Sequence, residues 1–135
     1  MKHLVYILLF FLFSNEVKAQ YSPITVEYNM IYFFSPSDIV LPSRSERFRT
    51  YSLLTIDINN RVIKTFYGIN TQPIETIYRI DEVSEIQSSK DNGNYFIFTC
   101  TSPNYATVIF EVNIDLNWIR RYILHNKISH LFYNE

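Results

Sequence analysis

The tightest constraint in this chain is the alternation that runs from Tyr95 to Asp115. Phe96, Phe98 and Cys100 share one parity before Ser102-Pro103-Asn104. Ala106, Val108, Phe110, Val112 and Ile114 share it afterwards. Thr99, Thr101, Thr107, Glu111, Asn113 and Asp115 take the opposite parity. Successive side chains on a strand point to opposite faces, so this pattern predicts two strands, 95–101 and 105–114, with one dry face and one wetter face. A three-residue loop at 102–104 sets Cys100 opposite Ala106, Phe98 opposite Val108 and Phe96 opposite Phe110. A slip by one residue would turn a whole apolar set outward. Each large apolar side chain is worth roughly 1.5–3 kcal/mol when buried, so parity outweighs any single turn preference. Asn104, which tolerates positive φ, suits the last loop position.

The same pattern extends in both directions. Ile24, Val26, Tyr28, Met30, Tyr32 and Phe34 alternate with Thr25, Glu27 and Asn29, giving a first strand over 24–34. Ile31 and Phe33 make its end apolar on both sides, so that end is expected to be covered. Residues 35–48 hold two prolines and four serines and read as a long loop, the kind that often carries function. Within and after it, Arg44, Arg47 and Arg49 form a candidate anion-binding loop, to be weighed against a solvated surface in which Glu46 offsets the charge. Residues 49–58 and 61–67 read as a hairpin around Asn59-Asn60, whose register the alternation leaves open. Residues 68–73 read as a turn.

Residues 74–87 admit two readings. Pro73 could open a helix through Ile74, Ile77, Tyr78 and Val83. The Ile, Thr, Tyr and Val content favours a strand instead, broken or bulged near Asp81-Glu82. Gly93 then supplies the left-handed residue of a three-residue turn that sets Ile86 beside Phe98. Residues 116–126 are similarly open: Asp115 could cap a helix, or 118–124 and 128–133 could be two closing strands turning at Asn126-Lys127. The strand reading is preferred in both places. The sum is an all-β antiparallel meander of about eight strands, a small up-and-down barrel or strongly curled sheet.

The first nineteen residues stand apart. Lys2 and His3 precede the apolar run 4–13, and Val17-Lys18-Ala19 offers a cleavage site before Gln20. This is the layout of a secretory signal peptide. Ten apolar residues fall short of the roughly 20 needed to span a bilayer as a helix. A single domain over 20–135 is therefore expected after export, secreted or held in the periplasm or cell envelope and not membrane-spanning. Removing two lysines and one glutamate from twelve basic and thirteen acidic residues leaves a net charge of −2. A nucleic-acid binder would show a basic excess, so no nucleic-acid partner is expected.

Chemical motifs are sparse. Gly68 and Gly93 are the only glycines, which excludes a phosphate-cradling loop. Cys100 is the only cysteine, which excludes multi-cysteine zinc sites, and its parity places it in the core. After the leader, His125 and His130 are the only histidines, too few for a metal centre of clear spacing. No catalytic motif is present, and neither an enzymatic activity nor a cofactor or metal is expected. What stands out is the aromatic content: ten tyrosines, eight phenylalanines and Trp118 follow Ala19. Tyrosine pairs an apolar body with a polar tip, which suits half-wet cavities and interfaces. Tyr28, Tyr32, Phe33, Tyr95 and Trp118 are the candidate ligand or interface residues. Two functions fit: an exported, non-catalytic β-domain holding a small apolar or amphipathic ligand in its curled sheet, or an interaction or structural component of the cell envelope that meets another protein.

Overall fold

The computed structural model describes residues 22–69 and 72–135. Nine strands follow one another: β1 (Ile24–Ser35), β2 (Arg44–Asp57), β3 (Val62–Ile69), β4 (Gln72–Val83), β5 (Gln87–Ser89), β6 (Gly93–Thr101), β7 (Thr107–Asn113), β8 (Trp118–Ile123) and β9 (Ser129–Tyr133). All pairings are antiparallel, and the sheet order β4-β3-β2-β1-β9-β8-β7-β6-β5 is closed by a further pairing of β4 with β6. The result is an eight-strand up-and-down barrel with one extra short strand. β5 takes over β4's place beside β6 after a break, at which Ser84 bridges: its amide donates to the Ile97 carbonyl and its Oγ accepts from the Ile97 amide. No described residue is helical, so residues 74–87 and 116–126 resolve as strand and turn. The expected leader and its cleavage point lie outside the described residues.

The lower half of the barrel is dry. Tyr28, Leu54, Ile56, Ile63, Phe96, Phe98, Phe110, Val112, Ile119 and Phe132 are all essentially inaccessible. The even-numbered faces of β6 and β7 thus point inward, as their alternation dictates. The lower end is sealed by the turn after β7. Leu116 sits there at φ 60 and accepts a 2.7 Å hydrogen bond from the Tyr28 hydroxyl. Buried Asn113 donates to the Asn94 carbonyl at 3.1 Å and accepts from the Asp115 and Asn117 amides. The chain end is clasped to β1: the Asn29 amide donates to Asn134 Oδ1, Asn134 Nδ2 donates to the Glu27 carbonyl, and Asn29 and Glu135 exchange two further bonds.

Several expectations are corrected. The β6–β7 register is displaced by two residues: Cys100 faces Val108, Phe98 faces Phe110 and Phe96 faces Val112. Parity survives because the displacement is even. The turn is Ser102 to Tyr105, closed by the Tyr105 amide on the Ser102 carbonyl, with Pro103 at its second position, where proline's fixed φ fits. The left-handed residue is consequently Tyr105 at φ 66, not Asn104. Likewise Arg61 at φ 55, rather than either asparagine, takes the left-handed position between β2 and β3, which pair Asp57 with Val62.

The expected loop over 35–48 is shorter, because Arg44 to Phe48 already belong to β2 and pair with β1. The expected turn at 68–73 is mostly strand, with Gly68 paired to Pro73 and Ile69 to Gln72. Gly93 adopts the expected positive φ of 75, but Val83, not Ile86, stands opposite Phe98. Ile86 lies in the break between β4 and β5. The irregularity expected near Asp81-Glu82 is present as a register shift between Ile80 and Glu82.

The largest departure is in β1. A bulge between Tyr28 and Met30 shifts the pairing with β2. Before it, Tyr28 points inward; after it, Ile31 and Phe33 do, and Tyr32 and Phe34 turn outward. The even-numbered alternation expected across the whole strand therefore holds only for its first half. This is why the far end looked apolar on both sides: each parity serves as the inner face in turn.

Candidate functional site

The upper end of the barrel is built differently from the lower. β2 is fourteen residues long and outruns β3, so its first half pairs only with β1. A cleft of about 410 Å³ opens where β2 and β3 part company. Ile31 and Phe33 of β1, Phe48 and Thr50 of β2, Tyr67 and Gly68 of β3 and His130 of β9 line it, with Arg44 and Arg49 at its margin. Phe33 and His130 are cross-strand partners, and their rings meet at 5.3 Å. Thr50 Oγ1 donates to the Gly68 carbonyl at 2.6 Å and ties the parting strands together.

Behind the cleft wall lies a polar cluster inside the barrel. Arg121 of β8 shares the inward parity of Ile119 and is only 4% exposed. Its Nη1 donates to the Tyr78 hydroxyl at 3.1 Å, and its Nη2 makes a long 3.5 Å contact with the Tyr67 hydroxyl. The guanidinium lies 5.5 Å from the ring centres of both Tyr67 and Phe132. Nε has no acceptor, and among the described residues no carboxylate forms an ion pair with Arg121. His130 is the direct cross-strand neighbour of Arg121. Burial, and then the nearby Arg121 charge, push its pKa down to about 4, so the imidazole is neutral near pH 7. Its Nδ1 is buried without a partner, as are Ser52 Oγ and Thr65 Oγ1 on the inner faces of β2 and β3.

A second, wider recess of about 600 Å³ opens at the same end, lined by Tyr78, Ala106, Val108, Ile123 and His125 together with the Ser102–Asn104 turn. Tyr67 faces the first recess and Tyr78 the second. Arg121, which donates to the Tyr78 hydroxyl and makes the long contact with Tyr67, links the two tyrosines.

The residues singled out from sequence disperse across this architecture. Phe33 lines the cleft. Tyr28 is locked in the core, and burial raises its hydroxyl pKa, so it presents nothing to a ligand. Tyr32 lies outside, under the Arg47 guanidinium, in a shallow groove shared with Phe34, Glu111, Arg120, Tyr122 and Leu131. Tyr95 and Trp118 meet at a tilt, ring centres 5.8 Å apart, also outside, with Trp118 Nε1 donating to the Asn92 carbonyl. The proposed arginine loop is a strand, and strand geometry separates its members. Arg44 and Arg49 border the cleft, and Arg44 is held by Glu46 at 2.6 Å, while Arg47 is on the outer face. Sequence reasoning missed Arg121, Tyr67 and Tyr78. The available signal was a charge at inward parity: Arg121 falls between Ile119 and Ile123 on one face of β8.

Cys100 is fully buried, and desolvation pushes its thiol up to about 12, with a smaller contribution from Asp81. Among the described residues no three His, Cys, Asp or Glu side chains come together as a metal-binding group. Comparison with protein-family models, with curated proteins and with solved structures gave no match.

Proposed function

We propose that this protein is an exported, non-catalytic binding domain that holds a small amphipathic ligand in the cleft at the open end of its barrel. The observation that carries the reading is the contrast between the two ends. Below, phenylalanines and branched aliphatics fill the interior. Above, a recess of about 410 Å³ is walled by Ile31, Phe33, Phe48 and Tyr67, with a few polar groups beside them. Apolar walls with few convergent polar groups are the usual composition of small-molecule sites, which occupy roughly 300–1,000 Å³. An eight-strand barrel interior is either filled by side chains or holds one small ligand, and here only the lower half is filled. Export rests on the leader-like layout of the first nineteen residues.

The test is native mass spectrometry of the secreted protein, with and without Phe48→Asp. Adducts of defined mass that disappear in the variant support the reading. A wild-type spectrum free of adducts, combined with failure to take up an environment-sensitive apolar dye, refutes it. The alternative, an envelope protein using its surface against a partner, draws on the outer groove containing Tyr32, Tyr122 and Leu131. The free edge of β2 favours it less, since Arg44, Glu46, Arg47 and Arg49 crowd that edge with charge, a common protection against strand addition.

A further inference from the structure

We infer that the ligand carries a single carboxylate, and that Arg121 is the group that recognises it from inside the barrel. This deepens the binding reading above and rests on it. Three observations converge. The guanidinium is nearly inaccessible, yet it has no carboxylate partner among the described residues. Breaking a buried ion pair is strongly destabilising because a lone buried charge is poorly compensated, so an Arg kept in this state calls for an anion. The two aromatic rings at 5.5 Å offset part of that cost but accept no hydrogen bond along the Nε direction. Three further buried atoms lack partners: His130 Nδ1, directly across from Arg121, Ser52 Oγ, directly across from Tyr67, and Thr65 Oγ1, two residues before Tyr67 on β3; two of them are hydroxyls able to donate.

The geometry also selects the ligand's shape and charge. Tyr67 joins the two halves of the site: its ring lines the cleft, and its hydroxyl faces Arg121. A chain lying along Ile31, Phe33 and Phe48 with its head turned inward past Tyr67 and His130 would bring an acceptor to Arg121. A planar guanidinium matches a carboxylate fork to fork. Arg121 is the one buried cation among the described residues, which fits one negative charge and not two. At the rim, Arg44 is neutralised by Glu46 and Arg49 is exposed to solvent, which screens its charge, so the buried Arg121 is the cation that acts with least screening. Tyr67 or His130 must swing aside for entry, since both line the cleft and Arg121 does not.

The experiment is calorimetric titration of the mature protein with decanoate, decanol and decyltrimethylammonium, each below its aggregation concentration. Decanoate is expected to bind about 10- to 100-fold tighter than decanol, the range for a hydrogen bond to a charged group, and the cationic probe is expected to bind weakest. Arg121→Met should bring the decanoate-to-decanol ratio to about one; Lys90→Gln, in the exposed turn between β5 and β6 and outside the cleft lining, should leave the ratio unchanged. Equal binding of decanoate and decanol by the wild type overturns the inference while leaving the binding reading standing. So does an Arg121→Met protein that retains the preference. If neither decanoate nor decanol binds, the binding reading itself fails and takes this inference with it. The wild-type ratio needs no variant and remains decisive should Arg121→Met not fold.

Discussion

Replacing His130 with phenylalanine should make the barrel markedly less sensitive to acid. His130 projects inward beside Phe33 and Arg121, and its pKa is pushed from the ordinary 6.5 down to about 4, first by burial and then by the Arg121 charge. Other charged groups bordering the cleft are Arg44 and Arg49, with Glu46 engaged by Arg44. Unfolding returns the imidazole to its ordinary proton affinity, so the unfolded chain binds the proton more tightly than the native one. Stability from this residue is then complete above about pH 6.5 and is lost progressively as pH falls towards 4. Each tenfold difference in proton affinity is worth about 1.4 kcal/mol, which sets a ceiling of about 3 kcal/mol. Because one side of the ring borders the cleft, about 2 kcal/mol is the working figure. At this chain length that corresponds to roughly 8 °C in Tm. Urea melts of wild type and His130→Phe between about pH 7.5 and 4.5 measure it. Carboxylates titrate in both proteins, so their contribution cancels in the difference. The two stability curves should converge at neutral pH, apart from a constant offset, and diverge below about 6.5 with the wild type falling faster. Parallel curves across the interval would refute the burial argument.

Three other outcomes follow from the geometry. Tyr105 is 89% exposed and sits at φ 66, so Tyr105→Gly should stabilise the protein by about 0.5–1 kcal/mol in denaturant melts, the relief of left-handed strain less glycine's entropy. Tyr28→Phe should cost about 1–2 kcal/mol in denaturant melts, because it strands the buried Leu116 carbonyl that the hydroxyl now satisfies. Cys100, with its thiol pushed up to about 12 by burial, should resist a disulfide reagent near pH 8 in the native state and react at once in denaturant; fast reaction of the folded protein would contradict its placement.

Much of this architecture is legible in the sequence because strand alternation is a local code. The inward parity of Phe96, Phe98, Cys100, Val108, Phe110 and Val112 follows from spacing alone; the all-β class needed the β-branched and aromatic content of 74–87 as well, since spacing there also admitted a helix. The turn at Asn126-Lys127 and the irregularity near Asp81-Glu82 are equally local. Pro103 carried enough information to frame the β6–β7 turn one residue later, but choosing between frames two residues apart in register requires weighing the turn against packing, since both keep the same faces inward.

The candidate site was largely illegible, for a physical reason. Tyr67, Tyr78, Arg121 and His130 come from four different strands, and only closure of β1 on β9 and β4 on β6 brings them to one interior. The β1 bulge, which turns Phe33 inward and Tyr32 outward, depends on β2 supplying an extra residue at that point. Sequence by itself determined which side chains share a strand face. The tertiary structure alone decided which faces meet, because pairing between distant strands is fixed by the packing of the whole barrel and leaves no mark on any one segment.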